Sequence, residues 1–314
     1  MECEVAKTLV EYGFAVDADY AYSREDGGVE KDFSVDIRAT GYPPYRRNSL
    51  LASVELLVEC KHRHRGNKWL FFPDPNEPDM SPFGLGHTLR AVDRFSWHFL
   101  PRQSTVSFDQ DAIFCLKGVE IDTSNGSVHD SEIKHGLLQL QYALPRLLTD
   151  SIRFNVQNGE EDSFPFFFSS ILLTTSSLLV ADRGISMSAV EAADSLEQIA
   201  KPAPWVVVHS DSTPDFERHR SKTRSPLATL AKSDWVARLD DLRRSRGEEE
   251  FWLPSTRCAA LAARDGERFF EYFSQSVVCS YESFPALIQV IKNITNKAAK
   301  ARRDRAPAPR RRRV

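Results

Sequence analysis

The chain has 314 residues, enough for one large domain or two smaller ones, and its 41% hydrophobic and 27% charged content is ordinary for a globular protein. Its formal charge of −3 is unevenly spread: Lys297–Val314 holds nine Lys or Arg and one Asp, so the body is acidic and bulk charge does not announce nucleic-acid binding. Cys3, Cys60, Cys115, Cys258 and Cys279 are scattered with no C-x-x-C pair, which argues against a disulfide framework or a zinc ribbon and fits a reducing cytoplasm, and the acidic start Met1-Glu2-Cys3-Glu4 is unlike a secretory leader.

In chain order, residues 2–12 predict an amphipathic helix with Val5, Ala6 and Leu9 on one stripe and Gly13 as the stop. Strands follow at Phe14–Tyr22, Phe33–Thr40 and Leu51–Lys61, the first two separated by a polar turn at Ser23–Gly28. Arg63–Pro82 reads as a loop whose Trp69, Phe71 and Phe72 either pack beneath it or stack bases. A helix is expected at His87–Phe99, a strand at Asp111–Ile121, and a leucine-rich helix at Glu132–Leu148. The uncharged run Ser163–Ala181 approaches bilayer length, but Pro165 and its Ser and Thr residues favour two buried strands, Phe166–Leu173 and Leu178–Ala181, and no membrane partner. A helix at Ser188–Ala200 and a strand at Trp205–His209 come next, then helical pieces at Asp234–Arg244, Ser255–Phe273 and Phe284–Ile294. The expected organisation is an α/β domain over 1–210, a mixed sheet flanked by helices with an insert at about 62–130. A mainly helical region over 211–296 and a disordered basic tail over 297–314 follow it.

Chemistry concentrates on the third strand. Side chains alternate along a strand, so Glu55, Glu59 and Lys61 share one face while Val54, Leu56, Val58 and Cys60 share the other. An acid and a lysine at the end of an apolar strand cost desolvation unless a salt bridge or a metal compensates them. The preceding strand offers Asp36 between Val35 and Ile37; in a meander, Asp36 and Glu59 can converge on one hard cation, Mg²⁺ or Mn²⁺, with the Cys60 carbonyl as a further oxygen ligand. Lys61 would then orient an attacking water and offset charge developing on a phosphate.

The segments ECEVAKTLVEYGF, FSVDIRATG and LLVECK, in this order, resemble the PD-(D/E)xK nuclease superfamily, the restriction-endonuclease-like fold, in its Mrr-like and Holliday-junction-resolvase-like branches, with Val35 standing where the family places a proline. The resemblance implies a metal-dependent nuclease that cuts DNA, in restriction, defence or repair. It also implies an acid on the first helix, for which Glu2 is preferred over Glu4. His62, Arg63 and Arg65 follow the motif as phosphate contacts, and Gln141, within Gln139-Leu140-Gln141-Tyr142, resembles a motif of RecB-type nucleases. RNA or branched DNA as substrate, a homodimer, a separate specificity or motor subunit, and an inactive binding module on the same fold all stay open. Glu132-Ile-Lys134 repeats the acid–lysine spacing inside a helical pattern, with no strand-borne Asp before it.

Overall fold

In a computed structural model of the chain, residues 1–45, 52–76, 89–92, 105–106, 113–158, 166–245, 247, 249–250, 253–263 and 273–305 are described. Helix α1 (Glu2–Glu11) buries Val5 and Leu9 and leads into a long hairpin, β1 (Phe14–Asp26) and β2 (Val29–Gly41). The hairpin outruns the expected strands: residues read as a turn from Ser23 pair across it, and only Gly27 and Gly28, both at positive φ, make the bend. Strand β3 (Ser53–Lys61) pairs antiparallel with β2, completing a meander.

The stretch read as a loop contains β4 (Asn67–Pro73), in which Trp69 and Phe71 are fully buried, so these aromatics pack and are not free to stack bases. The expected helix at His87–Phe99 is corrected where it is described: Leu89–Val92 is strand β5, held antiparallel against the strand at Phe166–Thr174. Pairing with a neighbouring strand overrides a short helical pattern. Next come β6 (Thr105–Val106), β7 (Ile113–Asp122) and β8 (Val128–His129). Helix α2 (Ser131–Asn158) runs past its expected end at Leu148, because Ile152 and Val156 continue the buried stripe of Leu140, Leu144 and Leu147.

The uncharged run is β9 (Phe166–Thr174) and β10 (Ser177–Ala181), turning at Thr175 and Ser176. The helix expected at Ser188–Ala200 is shorter: α3 (Met187–Ala192) buries no side chain and ends where Ala193 turns extended, before β11 (Ala200–Pro202) and β12 (Trp205–His209). Helices α4 (Pro214–Arg224), α5 (Pro226–Leu230), α6 (Asp234–Arg244) and α7 (Pro254–Ala262) follow. Strand β13 (Gln275–Ser280), unanticipated in a polar region, precedes α8 (Phe284–Arg305). Residues 297–305, expected to be disordered, belong to this helix, and Ala299 is buried in the core; residues 306–314 of the expected tail lie outside the described residues.

The strands form one mixed sheet in the order β1-β2-β3-β9-β13-β12-β7-β4-β10-β11, with β5, β6 and β8 at its margins. Strand β9 lies parallel to β3 after the α2 crossover, and β10 lies parallel to β4. The path therefore leaves the segment pair β3/β9 and returns to its continuation, β4/β10, around a corner where Thr175 N–H donates to the Lys61 carbonyl at 3.3 Å. Helices α2, α4, α6 and α7 pack on one face of the sheet, and α1 and α8 on the other. Among the described residues no helix is long and apolar enough to cross a membrane.

The hairpin changes layers part-way along. Val16 and its partner Ala39 face the α1/α8 side, whereas Tyr20 and its partner Val35 join the α2 side. Between them Asp19 and Asp36 drop out of the ladder, and Asp19 takes φ +55°, which Asp tolerates better than most residues. The ribbon thus turns over at Asp36, a departure from strict alternation that sequence patterning does not reveal.

Candidate active site

The last pair joining β2 to β3 is Ile37–Val58. Beyond it β2 stays with β1, while Glu59, Cys60 and Lys61 stay with β9, so the sheet splits at Asp36 and Glu59. Side chains replace the missing ladder. The Asp36 carboxylate accepts the Cys60 N–H at 2.7 Å, and the Glu59 carboxylate accepts the Asp36 N–H at 3.4 Å. A strand residue's N–H and C=O leave on the same edge, so the Cys60 carbonyl also faces the split, toward Asp36. The Lys61 ammonium donates to Glu59 at 2.9 Å and to Gln139 Oε1 at 3.2 Å, and Gln139 Nε2 donates to the Ser34 carbonyl at 3.2 Å. One chain of contacts therefore ties β2, β3 and α2 together around the split.

Burial gives this cluster its electrostatics. The Glu59 side chain is 3% exposed and that of Lys61 14%. Burial pushes the Glu59 carboxyl above its usual range; Lys61 opposes the shift, the Asp36 charge adds to it, and the result stays raised. Burial first, and then the charges of Asp36, Glu2 and Glu59, raise the Cys60 thiol. Glu4, the other candidate on α1, accepts a hydrogen bond from Tyr281 at 3.1 Å and is engaged there.

Two further groups border the site without having been singled out in the sequence. His135, exposed one helical turn before Gln139, has its imidazole pushed down by partial burial and by the Lys61 charge. Tyr22 is buried, its hydroxyl finds no hydrogen-bond partner among the described residues, and burial and then the Glu59 charge raise it. Helical spacing was a usable signal for His135, since residues four apart share a face; for Tyr22 the overturned ribbon removes any.

Several expected contacts sit elsewhere. Gln141 is 1% exposed and donates to the Asp211 carbonyl, away from the site. Residues two apart on a helix lie about 200° apart, so only one glutamine of Gln139-Leu140-Gln141 can face Lys61, and it is Gln139. Arg63 is held at the sheet corner by an ion pair with the buried Glu120, which also accepts from Asn67 at 2.8 Å and Trp69 Nε1 at 2.7 Å. These contacts outweigh the burial of Glu120 and keep its carboxyl below the usual range. His62 and Arg65 are exposed beside the strand end. Lys134, of the Glu132-Ile-Lys134 repeat, pairs with Asp130 at 2.6 Å and takes no part.

Among the described residues, no group of three or more His, Cys, Asp or Glu side chains is arranged to hold a metal ion. The donor set at the split, two carboxylates and a backbone carbonyl, does not make a closed cage. It fits a hydrated hard cation of the Mg²⁺ type, which keeps several waters and needs one or two carboxylates. The raised Glu59, beside a second carboxylate, is what such a cation would relieve. No family model matches the chain, and no curated protein or solved structure matches it either.

Proposed function

We propose that the chain is a metal-dependent nuclease of the PD-(D/E)xK type, hydrolysing phosphodiester bonds of DNA at the split between β2 and β3. The observation that carries this reading is the contact chain Asp36–Cys60–Glu59–Lys61: two carboxylates and an ammonium gathered where the sheet opens. The order helix, three-stranded meander, crossover helix, strand parallel to the third, with β4–β8 inserted before the crossover helix, also supports this reading.

In this reading Asp36, Glu59 and the Cys60 carbonyl hold Mg²⁺ or Mn²⁺, which when bound lowers the pKa of water and offsets phosphate charge. The chain's own groups do the positioning. Glu59 fixes the Lys61 ammonium on one side and Gln139 fixes it on the other, so the cation is aimed before substrate arrives. Lys61 then donates to the attacking water or to a phosphoryl oxygen as negative charge grows there. Glu2, on the exposed first turn of α1, orients water at the outer side of the cluster.

The test is cleavage of plasmid DNA with Mg²⁺ or Mn²⁺, with EDTA, and with the Asp36→Ala and Lys61→Ala variants. Each variant is expected to lose roughly 100-fold or more in rate, as for a removed transition-state contact. Undiminished cutting by Lys61→Ala sinks the assignment, and so does cutting indifferent to EDTA.

A further inference from the structure

Away from the split, the tip of the β1–β2 ribbon and helix α4 enclose an open cavity of about 650 Å³. Arg24 stands on the ribbon wall, Arg218 and Lys222 on the α4 wall, and Arg146 of α2 between them. The carboxylates present are largely engaged: Lys222 pairs with Glu30 at 2.8 Å and Arg218 pairs with Asp215. Arg24 differs from the other cations. Its guanidinium carbon lies 4.0 Å from the Phe33 ring centre and 4.8 Å from that of Tyr142, and it makes no ion pair among the described residues.

A guanidinium packed against two aromatic rings has already lost much of its rotamer freedom, and N–H groups turned away from the rings can make two parallel bonds to an anion. Carboxylate and phosphate both suit this fork, and beside a split proposed to cut phosphodiesters the anion at hand is phosphate. Arg24 is tied to the elements that build the split: its Phe33 ring is on β2, and its Tyr142 ring follows Gln139, the Lys61 partner, by three residues on α2. The Phe33 that supports it lies three residues before Asp36, roughly 10 Å along β2 at ~3.3 Å per residue. A duplex strand rises ~3.4 Å per nucleotide, so this position meets a phosphate within about three nucleotides of the cut.

We infer that the cleft between the ribbon tip and α4 holds the sugar-phosphate strand on one side of the scissile bond, with Arg24 anchoring one phosphate. The inference rests on the nuclease reading, and its test separates the two. The full chain carrying Lys61→Ala, which should bind without cutting, is titrated with a fluorescent DNA oligonucleotide, single-stranded and duplex, and with the matching RNA, across a salt series. Adding Arg24→Ala should weaken binding about tenfold and reduce the slope of log affinity against log salt by ~0.7 for single strands or ~0.9 for duplex, one phosphate contact. Arg24→Lys should keep the slope.

Arg218→Glu, on a solvent-facing side chain of the opposite wall, should weaken binding in the same direction, and it decides the matter should Arg24→Ala fail to fold. Parent-like affinity and slope in Arg24→Ala, or in Arg218→Glu where that variant decides, overturn the cleft assignment while leaving the nuclease reading in place. A parent chain that binds none of the oligonucleotides overturns both.

Discussion

Glu59 carries the energetic tension of the site. Its carboxyl is raised because burial and Asp36 oppose ionisation more strongly than Lys61 favours it. A group whose proton is held more tightly in the fold adds stability that is complete below its ordinary pKa of 4.5 and disappears as pH rises through the raised value. Glu59→Gln, neutral and of similar shape, is therefore expected to be more stable than the parent at pH 7, by about 1 kcal/mol in urea unfolding, and to show no gain below about pH 4.5. It should also be inactive. Mn²⁺ at ~100 times its dissociation constant should stabilise the parent by roughly 2.7 kcal/mol and leave Glu59→Gln unmoved. A variant destabilised at neutral pH would mean that the Lys61 ion pair, and not burial, governs this position.

Among the elements, α2 does most to place the groups of the proposed site. Gly136 lies on the turn facing β3, where an added Cβ would come within 2.5 Å of Leu172 Cδ1 and 3.2 Å of Lys61 Cε. Gly136→Ala gains about 1 kcal/mol of helix propensity and loses about 1–3 kcal/mol to overpacking, so the fold changes little. The displaced Lys61 is what should register, with kcat lowered roughly 10- to 100-fold while the melting temperature falls by no more than about 8 °C. The sheet corner offers a contrast in which stability responds instead. Glu120→Ala leaves Trp69 Nε1 without its acceptor and Arg63 with the longer 3.8 Å contact to Glu132, and should cost about 2–4 kcal/mol, measured by urea unfolding. The sequence made α1, the meander and α2 legible through period, with Gly13 as the stop of α1, and Asp36, Glu59 and Lys61 through their place on adjacent strands. It hid β4 because Trp69, Leu70 and Phe71 are covered on both faces and show no alternation. It did not separate Gln139 from Gln141, which two steps of helix turn to different faces.

At the scale of the whole molecule, the boundary expected near residue 210 does not separate two cores. Strand β13 lies between β9 and β12, and the residues after 210 also place Phe216, Leu239 and Leu261 on the α2 side and Phe284, Ile288 and Ile291 on the α1 side. Such long-range pairing leaves no local pattern by which a sequence could announce it. A chain cut after residue 210 would leave facing edges of β9 and β12 without their partner, in a buried setting where unpaired backbone groups are costly. Each large apolar side chain removed from the core forfeits about 1.5–3 kcal/mol, so the six named here already match a typical net stability of about 5–15 kcal/mol. Residues 1–210 alone are therefore expected to show no cooperative urea transition and no near-ultraviolet circular dichroism, although every proposed catalytic residue is present. A chain ending at Arg305 keeps β13 and α8 and should unfold in one transition at the parent's midpoint. Cooperative unfolding of the 1–210 fragment would instead mean that the half with the proposed site carries its own core, and that β13 is an addition to a sheet already stable without it.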